Sequence, residues 1–352
     1  MDGMLCTQLR EAGIETHLVE LDKKWINFRK ESLGYNIFAL LLYICVYFKY
    51  ALSIRHFLNE KNIEIDIVHS NSLKSDIYGY FTSFILRKKC IWHIRDHINK
   101  PYLTRIIAVL FRQFAKYAPD AIIANSKSTA NVLDLNNFGI EFCRIVYDGI
   151  LNKDLEGIDP RIFLKWKQNP VRIGMLGRIA RWKGQHIFIE AAVELTKRGF
   201  DAEYFIVGST LFGEDEYLDE INKKSQIISG KMNFMGFRSD VKDILTDLDI
   251  LVHCSILPEP FGQVVLEGMA EGLPIVASDA GGVQEIIEQN ISGLRTPPGD
   301  PIELANALQQ LIENPDFASS LGQEAYRCVR QKFTATQAAR KVESLYRELV
   351  TR

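Results

Sequence analysis

The sequence predicts an α/β protein of two domains, each built on a parallel β-sheet. Short runs rich in Val and Ile alternate with longer helical patterns along the chain, which is typical of strands covered on both faces. At about 100–200 residues per domain, the length of 352 residues indicates two domains. The alternation stops between Gly149 and Pro170, where two X-Pro pairs favour turns, so we place the domain boundary there.

Nine strands are predicted in chain order. The four in the first domain (1–155) are Ile65–His69, Cys90–Ile94, Ala121–Ala124 and Arg144–Tyr147. The five in the second domain (165–334) are Val171–Leu176, Tyr204–Val207, Met232–Met235, Ile250–His253 and Pro274–Ala277. His69 and His253 end their strands, and we expect them to be packed or surface histidines rather than ligands.

The start of the chain departs from the order expected of a doubly wound domain, which opens on a strand and a glycine-rich turn. Residues 1–13 instead predict the later part of a helix with Gly13 as its C-cap, followed by a strand over Ile14–Leu21. We therefore expect that an opening strand and turn are missing, through either a late start codon or a loss from the gene.

Composition excludes several functional classes. Apolar residues make up 47% and charged residues 24%, which excludes a disordered or fibrous chain. The 42 basic and 44 acidic residues exclude nucleic-acid binding that rests on bulk positive charge. Six scattered cysteines form no Cys-x-x-Cys pair, which excludes a zinc ribbon and is typical of a reducing compartment, so we expect a cytoplasmic protein.

The segment Ser32–Phe48 carries no charge. Its dense part, Ile37–Phe48, has 12 residues, short of the ~20 that cross a bilayer. A buried helix is favoured, and the alternative is a helix on the cytoplasmic membrane surface, since periodicity does not separate the two. Residues 1–155 hold 20 basic and 16 acidic side chains, so the positive excess lies in the same half as this segment.

Three motifs in the second half indicate binding of a phosphorylated ligand. The first, Gly174–Gly184, ends a strand in a glycine turn with three cations, Arg178, Arg181 and Lys183. Backbone N–H groups in such a turn approach a phosphate, and the cations neutralise its charge. By itself, the motif is also compatible with a solvated basic loop between a strand and a helix.

The second motif, Ser255–Gly268, places Glu259 and Glu267 eight residues apart across a Pro-Phe-Gly turn. A helix is predicted to begin near Gly262, and the N–H groups at its start form an anion site. A carboxylate has two acceptor oxygens, which suit the hydroxyls of a ribose or a sugar. Because an acidic residue on an apolar helix face is costly without a partner, Glu267 is expected to bind such a group.

The third motif, Ser278–Glu285, contains Gly281-Gly282 after a predicted strand. It predicts either a backbone nest at the carboxyl end of the sheet or an ordinary strand-to-helix turn, with about even weight.

Together these motifs resemble the retaining GT-B glycosyltransferases of family 4. The likeness rests on Glu-x7-Glu, on Gly-Arg-x4-Lys and on Ser-Asp-x-Gly-Gly-Val-x-Glu, and it covers essentially the whole second half. The first half matches more weakly, at Asp66–Ser72, Trp92–Asp96, Asn125-Ser126 and Tyr147–Ile150. The resemblance implies two Rossmann-like domains facing across a cleft, with a final helix over 335–352 that crosses back to the first domain.

The resemblance also implies roles for individual residues. The catalytic set is Arg178 and Lys183 at the donor diphosphate, Glu259 beside the donor sugar and His93 at the cleft between the domains. The set that binds the nucleotide sugar is Glu267 at the ribose, the backbone of Phe261 and Gly262 at the sugar or phosphate, and Gly177, Gly208, Gly236 and Phe237 around the nucleotide and its base.

The implied activity is transfer of a sugar by a retaining enzyme of the hexosyltransferase type. The donor would be a UDP- or GDP-sugar and the acceptor a glycan or a lipid-linked molecule, in cell-surface polysaccharide or glycolipid synthesis. No metal or cofactor is expected, and Asp247-Leu-Asp249 is interpreted as a helix end before a strand, with a structural Asp249. The alternative is a catalytically impaired nucleotide-sugar-binding protein. A dinucleotide oxidoreductase is excluded, since no Gly-x-Gly-x-x-Gly follows a first strand.

Overall fold

The computed structural model of the protein describes residues 4–20, 37–99, 103–134, 143–155, 170–211 and 213–351. The chain divides into two units, described separately below. The first comprises Met1–Ile94, Gln113–Ile123 and Tyr346–Arg352, and the second comprises Arg95–Arg112 and Ala124–Leu345. Most of the predicted boundary, residues 156–169, lies outside the described residues.

The first sheet has four strands in the order β1-β2-β3-β4. They are β1 (Ile67–Ser70), β2 (Lys89–Ile94), β3 (Ala121–Ala124) and β4 (Cys143–Ile145). Strand β1 pairs with β2 in parallel. All four strands were predicted to within two residues at each end. The helices in this half are α1 (Met4–Glu11), α2 (Ile37–Glu60), α3 (Leu73–Leu86), α4 (Arg105–Ala115) and α5 (Lys127–Val132).

Helix α2 contains most of the uncharged segment that was predicted over 32–48, whose first five residues lie outside the described part. Its Val46 and Ala51 are buried, and the Tyr47 ring packs 4.8 Å from that of Tyr78 and 5.5 Å from that of Phe81 on α3. Of the helices that the structure describes, none combines the length and the apolar character needed to span a membrane.

The predicted strand over Ile14–Leu21 is wrong for the described residues 14–20. They form no β-ladder, and Ile14 and Leu18 are exposed. A segment of strand-favouring residues becomes a strand only when a neighbouring strand pairs its backbone groups. The helix before it is confirmed, and Gly13 ends it with a φ of 75°, where the amide of Ile14 donates to the carbonyl of Leu9.

The second sheet has six strands in the order β10-β9-β8-β5-β6-β7. They are β5 (Val171–Leu176), β6 (Ala202–Val207), β7 (Met232–Gly236), β8 (Ile250–His253), β9 (Ile275–Ser278) and β10 (Leu294–Thr296), and every pair is parallel. The five predicted strands are confirmed, whereas the short edge strand β10 was not predicted. This is a doubly wound order, and its direction reverses between β5 and β8.

Helices cover both faces of the second sheet. Along β8, Ile250 and Val252 enter one buried cluster, with Phe188 and Leu195 of α6, while Leu251 enters the other. Because alternate residues of β8 point to opposite clusters, Ile250, Leu251 and Val252 are all apolar. The helices are α6 (Gln185–Lys197), α7 (Asp215–Ser225), α8 (Val241–Asp247), α9 (Gln263–Ala270), α10 (Val283–Ile286), α11 (Pro301–Glu313), α12 (Pro315–Lys332) and α13 (Ala335–Val350).

Asp249 has the structural role that the resemblance implied. It lies between the end of α8 and the start of β8, and its carboxylate accepts from the amide of Arg172 at 2.9 Å. Its own amide donates to the carbonyl of Arg172 at 2.8 Å. Asp249 therefore ties together the beginnings of two neighbouring strands, β5 and β8.

Candidate active site

Two of the three motifs flank the point where the strand order reverses. The first follows β5 and the second follows β8, and these strands are neighbours with Ile173 opposite Ile250. Ligands of open parallel sheets bind beyond the carboxyl ends of the strands at such a point. The topology thus brings together loops that lie far apart in the sequence.

Lys183 and Glu259 form a buried ion pair across this point. Lys183 ends a short turn of 3₁₀-helix, Arg181–Lys183, and its Nζ lies 2.6 Å from Oε1 of Glu259. The two side chains are 16% and 9% exposed, so most of the pair is removed from water. The structure therefore brings together a predicted phosphate-binding cation and a predicted sugar-binding carboxylate.

His253 and Ser255 also bind Glu259. Nε2 of His253 lies 2.9 Å from Oε1 of Glu259, and the Ser255 hydroxyl donates to the same oxygen. From the sequence, His253 was expected to be a packed or surface histidine, and no contact between Ser255 and Glu259 was expected. The signal that could have found them is their place at and just after the carboxyl end of β8, the strand that leads into the motif.

These contacts determine the charge of Glu259. Burial raises the pKa of its carboxyl group, but the electrostatic interaction and hydrogen bond of His253, together with those of Lys183, outweigh that effect and hold the pKa well below its usual range. Glu259 is consequently a carboxylate at neutral pH, although it is almost fully buried.

The glycines predicted around the nucleotide meet at the carboxyl ends of β5, β6 and β7. The amide of Gly177 donates to the Val207 carbonyl at 2.9 Å, and the amide of Gly208 donates to the Gly236 carbonyl at 2.8 Å. Gly208 has a φ of 146°, and a Cβ there would lie 2.0 Å from the carbonyl oxygen of Gly177. Only glycine allows these turns to approach so closely.

Arg178 is half-buried beside Trp182. Its guanidinium carbon lies 5.6 Å from the centre of the Trp182 ring, and Nζ of Lys183 lies 4.6 Å from it. Both predicted phosphate-binding cations therefore contact one aromatic ring, which restrains them near each other.

The third motif supports the loop that carries Glu259. A Cβ on Gly281 would lie 2.3 Å from the carbonyl oxygen of Glu259, and the amide of Gly282 donates to that oxygen at 2.8 Å. Phe261 is buried in the same loop, with its ring stacked 5.9 Å from that of Tyr147. The paired glycines are thus required by close backbone contact.

Helix α9 begins as predicted. Gly262 caps it with a φ of 108° and offers no side chain, so the first N–H groups of the helix have no acceptor within it. Glu267 lies in the second turn, half-buried, and Gln263 contacts its carboxylate at 3.4 Å. Burial raises the pKa of Glu267 above its ordinary value, against the effect of Gln263. The Phe237 ring, at the turn after β7, is 71% exposed.

The histidines of the Trp92–Asp96 region and just after it lie in different units. His93 belongs to β2 in the first unit, where it is buried with its ring 5.4 Å from that of His69, which in turn bonds to the Tyr346 hydroxyl. His97 belongs to the second unit, where its Nε2 lies 3.1 Å from the Ser128 hydroxyl. Burial lowers the pKa of His97, opposed by a bond to the backbone of Pro258 and by the charge of Glu259.

The loop before Phe261 is also anchored to α5. The Ser126 hydroxyl donates to the carbonyl of Pro260, while the carboxylate of Glu285 accepts from the amides of Lys127 and Ser128 at 2.9 and 2.8 Å. These contacts were not anticipated from the sequence.

Within the described ranges, no group of three or more His, Cys, Asp or Glu side chains is arranged to hold a metal ion.

Two family models match the chain. The model described as Glycosyltransferase Family 4 matches residues 4–150, and the one described as Glycosyl transferases group 1 matches residues 160–328. An alpha-D-kanosaminyltransferase of Streptomyces kanamyceticus is 30% identical over 177 residues, which cover 49% of this chain and 45% of that protein. The chain therefore spans about half the length of this relative.

Other similarities extend over more of the chain. A lipopolysaccharide core biosynthesis mannosyltransferase, LpcC, of Rhizobium leguminosarum is 26% identical over 286 residues, covering 75% of this chain and 80% of that one. Anabaena Alr3699/HepE, solved in complex with UDP, has a TM-score of 0.73 at 26% identity and covers 84% of this chain and 82% of its own. The same protein with UDP and glucose has a TM-score of 0.78 over 98% of this chain and 89% of its own, at 24% identity. The fold is therefore GT-B.

Proposed function

We propose that this chain, a glycosyltransferase of the family 4 and GT-B type, transfers a sugar from a UDP- or GDP-sugar to a glycan or lipid-linked acceptor with retention of anomeric configuration. The observation that carries the proposal is the buried Lys183–Glu259 pair at the reversal point of the second sheet. A cation for the diphosphate and a carboxylate for the sugar stand side by side, which suits a ligand with both groups.

The diphosphate would bind among cations and backbone amides. Lys183 and Arg178 approach from the turn after β5, and the start of α9 offers N–H groups with no partner in the helix. Breaking the glycosyl–phosphate bond moves negative charge onto the leaving diphosphate, and fixed cations aimed at that charge lower the barrier. The complex of HepE with UDP supports a nucleotide donor.

Retention is proposed to occur within an ion pair rather than through a covalent intermediate. Glu259 is the carboxylate nearest the proposed sugar, yet three donors bind its Oε1 and hold it strongly ionised. A carboxylate so held is a weak nucleophile, and it suits binding of sugar hydroxyls. The acceptor hydroxyl would then attack from the face that the diphosphate leaves.

The nucleoside would lie over the carboxyl ends of β5, β6 and β7. Glu267 would accept the ribose hydroxyls, and the exposed Phe237 ring would stack on the base beside Gly208 and Gly236. His93 is proposed to lie near the donor sugar and the acceptor. The acceptor is proposed to belong to cell-surface polysaccharide or glycolipid synthesis at the cytoplasmic membrane face, in line with the role for which LpcC is named.

A donor screen followed by transfer assays tests this function. Thermal shift with UDP, GDP and their sugars should show one nucleotide family that stabilises the protein, because binding to the folded state alone raises the melting temperature. The selected donor should then be consumed with a suitable acceptor, and NMR of the product should show the donor's anomeric configuration. Donor binding without turnover on any acceptor or water would favour a binding protein, and an inverted product would refute retention.

A further inference from the structure

We propose that His253, with Ser255, is a positioning residue that fixes the Glu259 carboxylate for the donor sugar. This inference rests on the proposed function of the same site and assigns a role to residues that do not themselves reach the substrate. Among the described residues, the hydrogen bonds to the Glu259 carboxylate all fall on Oε1. The second oxygen, Oε2, then remains oriented as the acceptor for a sugar hydroxyl.

The two donors come from the end of β8 and from the loop directly after it. His253 is the last residue of β8 and Ser255 follows two residues later, so their positions are set by a central strand of the sheet. The Ser278 hydroxyl on β9 contacts the carbonyl of His253 at 3.4 Å. A carboxylate bonded to a central strand is more precisely placed than one held by its own loop.

His253 faces Glu259 through Nε2, which lies 2.9 Å from Oε1. Its Nδ1 is buried and has no hydrogen-bond partner within the described part of the chain. Nε2 is therefore the ring nitrogen that ties His253 to a neighbour, and that neighbour is the Glu259 carboxylate. Lys183 supplies a positive charge beside Glu259, and His253 fixes the direction of its carboxylate.

Other titratable groups near Glu259 also influence the pH at which its carboxyl group titrates. Lys183 comes from the turn after β5, Cys254 lies next to His253, and His97 approaches from the segment before α4, with its electrostatic coupling to Glu259. Of these, Lys183 bonds directly to the carboxylate, as do His253 and Ser255. Substitution at His253 therefore perturbs Glu259 through a direct contact.

Kinetics of His253→Leu and His253→Gln provide the first test. Leucine fills the space without a donor, whereas the glutamine amide nitrogen reaches close to the former Nε2. We expect His253→Leu to lower kcat by about 10²-fold with little change in the KM for the donor, since small misplacements of a reacting group cost about this much. His253→Gln should recover most of the loss, and the same ordering should appear without Ser255, in the Ser255→Ala background.

Tyr204→Phe is the matched control. Its hydroxyl makes a buried bond to the carbonyl of Ala192 in the same unit, away from Glu259. The control should keep normal kcat at a similar melting temperature. Equal losses in His253→Leu and His253→Gln, or a loss that follows only the melting temperature, would overturn the positioning role.

A titration separates this inference from the proposed function. With ¹³C-labelled glutamate side chains, the Glu259 signal is assigned by its absence in Glu259→Gln. We expect the Glu259 carboxyl to titrate at higher pH in His253→Leu than in wild type, and to return toward wild type in His253→Gln. If Glu259 titrated at the same pH in His253→Leu as in wild type, the inference would be overturned. If the titration shifted as expected but the protein transferred no sugar, only the proposed function would be refuted.

Discussion

Replacing Lys183 with methionine tests the proposed site through stability. Methionine keeps an apolar stem of similar length but leaves Glu259 without the cation 2.6 Å from its Oε1. Breaking a buried ion pair by removing one partner costs about 3–5 kcal/mol. His253 and Ser255 still donate to the same oxygen, so we expect a loss at the lower end of this range, about 3 kcal/mol.

The assay is urea unfolding of Lys183→Met, Glu259→Gln and the double variant. The double variant removes both charges, so its loss should be smaller than the sum of the single losses by at least about 1 kcal/mol, as expected for residues in contact. The matched control is Lys231→Met, which breaks the more exposed pair with Asp201 and should cost less than about 1 kcal/mol. Additive losses in the cycle would refute a coupled pair.

Three further outcomes are expected. Gly208→Ala should destabilise the protein by more than Gly230→Ala in thermal unfolding, because a Cβ at Gly208 meets the carbonyl oxygen of Gly177, whereas at Gly230, also of positive φ, it meets nothing within 4 Å. Glu267→Gln should weaken UDP or GDP binding by about ten- to a hundredfold in calorimetry, as expected for loss of a charged hydrogen bond worth about 1.5–3 kcal/mol, and unchanged affinity would remove Glu267 from the ribose site. The pKa of Glu259 is lower in the folded chain than the unfolded value of about 4.3. The ionised carboxylate therefore contributes its full stabilisation above that pH, and the contribution is lost as the pH falls further. In a plot of unfolding free energy against pH, Glu259→Gln should show a smaller decrease at acid pH than wild type.

The strands of the second unit could be predicted because both of their faces are buried, so that most of their residues are apolar. Val171–Leu176 and Ile250–His253 are largely apolar runs, and their predicted bounds agree with the structure. Leu294–Thr296 escaped prediction because a three-residue edge strand with Arg295 at its centre has no such run. The prediction of a strand over Ile14–Leu21 was wrong for the opposite reason: the segment contains Ile, Thr and Val, which favour strands, but residues 14–20 pair with no strand in the described part of the chain.

The members of the site were easier to predict than their contacts. Lys183 and Glu259 could be picked out because each lies beside a glycine-containing turn after a predicted strand, in motifs that resemble those of family 4. His253 did not, since a histidine at the end of a strand carries no local sign of its partner. Its bond to Glu259 depends on how the loop after β8 turns back over the strand end.

The order of strands in the second sheet turns these separate motifs into one site. Lys183 and Glu259 are 76 residues apart in sequence, and three strands, β6, β7 and β8, lie between them along the chain. If β8 followed β7 in space as it does in sequence, the loops after β5 and β8 would be separated by two strands, or about 10 Å more at the usual spacing. Because β8 instead pairs with β5, the cation and the carboxylate reach one another. Strand order is set by how helices pack on both faces of the sheet, and that information is spread over the whole unit rather than held in any motif.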